Sequence, residues 1–195
     1  MIVNKWKTKI GSTGEMTLFQ KGNVNVRKLK EEDKYLLAKW LSDPTVLEFY
    51  EGRDQPFDLA KVNQVFYSSG DFKDKCLVEF GGKGIGYIQF YQLDDKAKNV
   101  YGLTNGNVYG IDQFIGEIEH WNKGLGTLLV TSMVQFLIEN KKADRVVMDP
   151  QTSNMRAIRC YEKCGFKKVK LLPNREFHEG EYKDCWFMEY CKESI

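Results

Sequence analysis

The sequence predicts a mixed α/β fold in which helices cover a sheet. Short runs with period-two apolar alternation are interleaved with longer segments whose apolar residues recur every three or four positions. Val146 to Phe166 reads as a strand, an Asp-Pro stop and a capped helix in succession. The 195 residues carry no internal repeat, low-complexity tract or linker, a length that suits one domain with a substantial core. The domain is therefore expected to span residues 23–195. Residues 1–22, polar with glycines at 11, 14 and 22, are either a short added strand or a loose arm.

The elements follow from the chain in order. Val24 to Leu29 alternates as a strand. Glu31 to Ser42 is a helix presenting Leu36, Leu37, Trp40 and Leu41 to the core. Asp43-Pro44 ends it and opens a short helical turn through Val46, Leu47, Phe49 and Tyr50. A loop at Glu51 to Pro56 leads to Asp58, which caps a helix carrying Leu59, Val62, Val65 and Phe66. Cys76 to Phe80 and Gly84 to Leu93 form a hairpin around Gly81-Gly82, with Ile85, Tyr87, Gln89 and Tyr91 expected on one face. Asp94 to Asn107 reads as a polar loop, and Val108 to Gly116 as a strand. Gly124 to Asn140 is an amphipathic helix, then come the strand Val146 to Met148 and a helix opening at Ser153 or Asn154 and closing at Gly165. Strands near Lys167 to Leu172 and Asp184 to Cys191 finish the chain.

Composition excludes several function classes. Formal net charge is +2, from 29 basic and 27 acidic residues, and no basic-aromatic stripe suggests nucleic acid. No apolar run approaches the roughly 20 residues of a membrane helix, and Met1 to Lys9 lacks the apolar stretch of a secretory signal. Five cysteines without paired spacing, and two histidines, argue against a metal site and for reduced thiols in the cytoplasm. Monomer and dimer both remain open.

Two stretches carry chemistry. In W-N-K-G-L-G-T, Trp121 to Thr127, two glycines at a helix start let backbone N–H groups approach an anion. On the last helix Asn154, Ala157, Ile158, Tyr161 and Gly165 share one face, an amide and a phenol with little bulk between them. Acidic residues form a third pattern. Asp112 lies mid-strand and Asp149 at the end of an apolar strand; each carries a desolvation cost unless it meets a cation or hydrogen-bond donors. An arginine or a helix N-terminus would satisfy them without any function, Asp149 above all. Glu48, Glu51 and Asp54 either line the same cleft or form a solvated loop.

The segment N-x-x-A-x-x-x-Y-x-x-x-G-F, from Asn154 to Phe166, together with the K-G-L-G-T turn, resembles the GNAT N-acetyltransferase superfamily. Trp121 departs from it, standing where Gln or Arg is usual. G-I-D-Q at Gly110 to Gln113, D-P-x-x-x-N-x-R-A-I-R-x-Y-E-K-x-G-F, W-L-S-D-P-T-V-L-E-F-Y-E-G-R-D and H-E-G narrow the likeness to aminoglycoside 6′-N-acetyltransferases, above all the acetylating half of the bifunctional Gram-positive resistance enzyme. The likeness runs from about Val24 to Tyr190.

That resemblance implies a mostly antiparallel twisted sheet splayed at its two central strands, acetyl-CoA as co-substrate, and a polycationic aminoglycoside as acceptor. It implies that Gln113, Phe114 and Ile115 polarise the thioester, and that Lys123, Gly124, Leu125, Gly126 and Thr127 hold the pyrophosphate. Asn154, Ala157 and Tyr161 would flank the cofactor. Asp112 would take the amine's proton and Tyr161 would protonate the departing thiolate. Tyr50, Asp54, Tyr91, Asp112, Asp149 and Glu179 are the acceptor-site candidates, although Tyr50 and Tyr91 also read as core aromatics and Glu179-Gly180 as a β-turn. Acetylation of another amine, on a protein N-terminus, a polyamine or a siderophore precursor, is the rival enzyme reading. A non-catalytic acyl-CoA-binding module is the rival outside catalysis.

Overall fold

The structure is a computed structural model and describes residues 17–68, 70 and 72–191. The first sixteen residues of the expected N-terminal segment lie outside the described residues. Its remainder is an added strand, β1 (Thr17–Lys21), paired with β2 (Val24–Lys28). The strands β3 (Asp74–Phe80), β4 (Lys83–Gln92), β5 (Val108–Ile115), β6 (Arg145–Met148), β7 (Lys167–His178) and β8 (Glu181–Cys191) extend the sheet in the order β1-β2-β3-β4-β5-β6-β8-β7. Every neighbouring pair is antiparallel except β5 and β6, which run parallel. The expected mostly antiparallel sheet with flanking helices is present.

Helices cover both faces. On one lie α5 (Leu125–Asn140) and α6 (Met155–Lys163), packed on Val26, Ile88, Ile111, Val146 and Met188. On the other, α1 (Lys34–Trp40), α2 (Pro44–Leu47) and α3 (Leu59–Phe66) pack on Leu77, Tyr87 and Phe114. Leu37, Trp40 and Leu41 are fully buried, each apolar side chain contributing about 1.5–3 kcal/mol of transfer free energy. Gly116 makes room for Trp40: a Cβ there would lie 2.2 Å from the indole.

Two expectations need correction. Ile85 and Tyr87 do not share a face, because the β3–β4 register shifts between Val78↔Gly86 and Glu79↔Gly84 and leaves Ile85 as the extra residue of a bulge. Ile85 joins the α5 side and Tyr87 the α1 side. The polar stretch Asp94 to Asn107 contains a helix, α4 (Asp95–Tyr101), capped by the Asp94 side chain on Ala97 N (2.7 Å) and stopped by Gly102 at φ 73°. It buries none of its residues, so it leaves no apolar period to read.

The α1–α3 layer is pinned to the sheet by charge. Arg27 on β2 donates two hydrogen bonds to Asp33, at 2.7 and 2.9 Å, and one to Glu79 on β3 at 2.7 Å. Arg27 and Asp33 are buried, 6% and 3% exposed, so loss of either partner strands the other away from water. Replacing Asp33 with Ala is expected to cost about 3–5 kcal/mol in urea unfolding; a loss below about 1 kcal/mol would show that the pair does not hold the layer.

Candidate active site

The parallel β5–β6 ladder is short. Its pairs stop at Gly110↔Val147, although β5 stays paired with β4 as far as Ile115. Beyond Met148 the chain is drawn to β8 instead: Trp186 N donates to Pro150 O (2.9 Å) and Thr152 N to Asp184 O (2.8 Å). Asp149-Pro150 is where the path changes, since proline offers no ladder donor. The two strands therefore part, and a cleft of about 950 Å³ opens between them. Gln113, Phe114 and Ile115 lie along its β5 wall.

One end of the cleft is mainly acidic, with Glu51, Asp112, Asp149 and Glu176 among its lining residues against one lysine, Lys73. Asp112 sits opposite Gln89 in the β4–β5 register, and its Oδ2 accepts from Gln89 Nε2 at 2.6 Å. Gln89 Oε1 in turn accepts from the Tyr87 hydroxyl at 2.8 Å. Among the described residues no Lys, Arg or His forms an ion pair with Asp112. Desolvation raises its carboxyl above the usual range, against the lowering effects of the Gln89 hydrogen bond and the more distant charge of Lys73. Asp149 is different. Its Oδ2 accepts from Arg175 Nε at 2.9 Å and from the Tyr101 hydroxyl at 3.0 Å, the satisfied arrangement that an acidic residue at a strand end invites. Tyr101 itself stacks on Phe187 at 4.6 Å, so α4 reaches the site after all.

Asn154 and Tyr161 stand on the facing helix. Asn154 caps α6, its Oδ1 accepting from Ala157 N at 3.1 Å, and both residues line the cleft. Tyr161 is 7% exposed; burial pushes its phenol above the ordinary value, partly offset by the Gln113 amide, so it carries its proton at neutral pH. The N-terminus of α5 opens onto the same space. Gly124 has φ 78°, a Cβ added there would meet nothing within 4 Å, and no side chain caps the helix. The first-turn N–H groups are left for an anion. Gly126 and Thr127 line the cleft beside it.

The remaining expected residues divide. Tyr50 lines the cleft, its ring 4.7 Å from Phe114. Tyr91 lies over Gly110, where a Cβ would come within 2.6 Å of its ring, and is a packed aromatic behind the acidic end. Lys123 and Leu125 fall outside the lining: Leu125 turns into the core as the helix begins. Asp54 packs against Gly52 outside the cleft. Glu179 is also outside: with Gly180 it forms a two-residue turn, φ 50° and 84°, joining β7 to β8. Its carboxylate receives Arg53 Nε at 2.6 Å, Arg53 Nη2 at 2.7 Å and Arg53 N at 3.0 Å. Gln89, Glu176 and Arg156 line the site without having been anticipated. Only Gln89 had a signal, since cross-strand pairing with Asp112 follows once the hairpin register is known.

Residues 30–173 match the family model described as an acetyltransferase (GNAT) domain. The chain belongs to the GNAT acetyltransferases. The aminoglycoside N(6′)-acetyltransferase type 1 of Klebsiella pneumoniae is 31% identical over 173 residues, covering 86% of each chain. A crystal structure of an aminoglycoside acetyltransferase in complex with coenzyme A and kanamycin superposes with a TM-score of 0.68 at 28% identity, over 87% of this chain and 95% of that one. A spermidine N-acetyltransferase from Vibrio cholerae, 16% identical with a TM-score of 0.71, shares the fold.

In this acetyltransferase the Arg53–Glu179 pair joins the α2 side of the cleft to the β7–β8 hairpin. The hydrogen bonds from Arg53 hold the Glu179 carboxyl down to about 2. A depressed carboxylate stabilises the fold above its unfolded value near 4.3 and loses that contribution as pH falls towards 2, modestly here because the pair is solvent-screened. NMR titration of the Glu179 carboxyl is expected to find the depressed value, and Arg53→Ala to return it to about 4.3. An unchanged titration in Arg53→Ala would mean the pair is not formed in solution.

Proposed function

We propose that the protein is an aminoglycoside 6′-N-acetyltransferase that confers antibiotic resistance by direct transfer of acetyl from acetyl-CoA to the 6′-amine. The observation that carries this reading is Asp112, a half-buried carboxylate held by Gln89, with no ion-pair partner among the described residues, facing a cleft between parted strands. A carboxylate withdrawn from water and held only by an amide gains from a ligand cation that docks on it, and Glu51 and Glu176 add charge suited to a polyamine sugar. The relatives' activities point the same way.

The residues fit the donor. Uncapped N–H groups at Gly124 and the first turn of α5 suit its pyrophosphate, and the unpaired edge of β5 suits its amide-bearing arm. Acetyl-CoA supplies the acyl group as an activated thioester. Asp112 orients the acceptor ammonium and takes its proton, directly or through water, with Gln89 fixing the carboxylate. Backbone N–H groups on the β5 edge between Gln113 and Ile115 stabilise the charge that develops on the carbonyl oxygen. Tyr161, kept protonated by burial, gives its proton to the departing thiolate. Asp149, neutralised by Arg175, acts on the acceptor only if a substrate ammonium replaces the guanidinium.

Cys160 raises a second route. It lines the cleft, its Sγ lies 3.5 Å from Thr127 Oγ1, and the neighbouring Cys164 thiol favours its thiolate. No histidine contacts it among the described residues, and we favour direct transfer. The five free cysteines accord with a reducing cytoplasm as the site of action.

Thiol release across a panel of aminoglycosides with and without a 6′-amine, alongside spermidine, tests the assignment. Turnover is expected only with the 6′-amine; equal activity on sugars lacking it, or on spermidine alone, overturns the acceptor. Asp112→Asn is expected to lower kcat by about 10²–10⁴-fold while Tm at pH 8 stays level or rises, because burial of the ionised acid opposes folding above its raised pKa. The acid limb of kcat/KM in the wild type should lie above the usual carboxylate range. Cys160→Ala should keep kcat within about threefold with no acyl-enzyme burst; loss of turnover would instead favour the covalent route.

A further inference from the structure

Trp121 is where the sequence leaves its family, replacing a polar or cationic residue three positions before Gly124. The side chain is committed elsewhere: its indole N–H donates to the Ile115 carbonyl at 2.7 Å, and its ring meets Phe49 edge-on at 6.1 Å. On that ring lies Arg156. Its guanidinium carbon is 3.6 Å from the Trp121 centroid and 4.5 Å from that of Phe49. No carboxylate pairs with it among the described residues, and desolvation by the flanking rings lowers its pKa, with Glu48 the nearest opposing charge. Stacking occupies the faces of a guanidinium and leaves its in-plane N–H donors free at the edge.

The neighbours give that edge a direction. Arg156, Arg159 and Lys163, spaced three and four along α6, all line the cleft, so this wall is basic where the Asp112 end is acidic. Gly124 and its uncapped helix start share the basic end. A cation seated on the Trp121 ring with Phe49 alongside, beside free backbone N–H groups, is built to receive a phosphate.

We infer that Arg156, positioned by stacking on Trp121 and Phe49, binds the diphosphate of coenzyme A and supplies the positive charge that Trp121 itself cannot. The inference rests on acetyl-CoA being the donor. It makes Trp121 a positioning residue rather than a gap in the motif, and it assigns Phe49 to the donor end of the cleft.

Calorimetric titration of the apoprotein with coenzyme A, 3′-dephospho-coenzyme A and pantetheine tests this without turnover. Arg156→Ala is expected to weaken coenzyme A and its 3′-dephospho form alike, by about tenfold, the value of one charge-assisted contact. Pantetheine affinity should not change. Arg156→Lys should recover only part of the loss, because an ammonium does not stack flat. Wild-type affinity in Arg156→Ala overturns the role, and so does an equal loss with pantetheine. A loss that vanishes with the 3′-dephospho form overturns the diphosphate assignment. Wild-type protein that binds no coenzyme A at all overturns the donor reading itself, which separates the two failures.

Discussion

The site depends on a competition for the end of β6. Val146 and Val147 pair with β5 on one side and β8 on the other, but past Met148 only the β8 side holds the chain. β5, kept straight by β4, leaves a polar edge with no partner strand, and an unpaired edge inside a protein has to be satisfied by something. Here the gap becomes the binding slot. On the other side β8 keeps backbone partners through Pro150 and Thr152, so the parting leaves the open edge on β5.

Charge is sorted along this slot. The acidic end gathers residues from four separate elements, the loop after α2, β5, the end of β6, and β7, while the basic end comes largely from α6. A donor rich in phosphate and an acceptor rich in ammonium would each be drawn to the opposite end and repelled from the wrong one. The acceptor end also contains two distinct kinds of carboxylate. Asp112 is held by an amide and stays available; Asp149 is already paired with Arg175. Only the first is poised to exchange a proton with a newcomer.

What could be read from residues alone follows where the physics is local. Val146 to Phe166 announced itself because β-branching, a proline stop, an Asn cap and a C-terminal glycine act over a few positions each, and the structure bears each one out. Asp112 was visible as a carboxylate in an apolar strand. The misses are non-local or weakly patterned. The bulge at Ile85 depends on two strands at once, so strict alternation assigned it to the wrong face. The helix Asp95–Tyr101 had its Asp cap and Gly stop but no apolar stripe. The Asp149–Arg175 pair joins positions 26 apart, and the Arg156–Trp121 stack positions 35 apart, with nothing in either local sequence to link them.

The turn His178 to Glu181 is tied to Arg53, so the β7–β8 hairpin and the loop after α2 are fastened to each other by an ion pair in water. A fastening of this kind is weak, salt-sensitive and remote from the reacting atoms. Lengthening the β7–β8 hairpin, or changing the charge at its tip, would loosen or tighten this tie while Asp112 and the glycine turn at 124–126 stayed as they are. The contact between hairpin and loop can thus change one surface substitution at a time, with the chemistry behind it untouched.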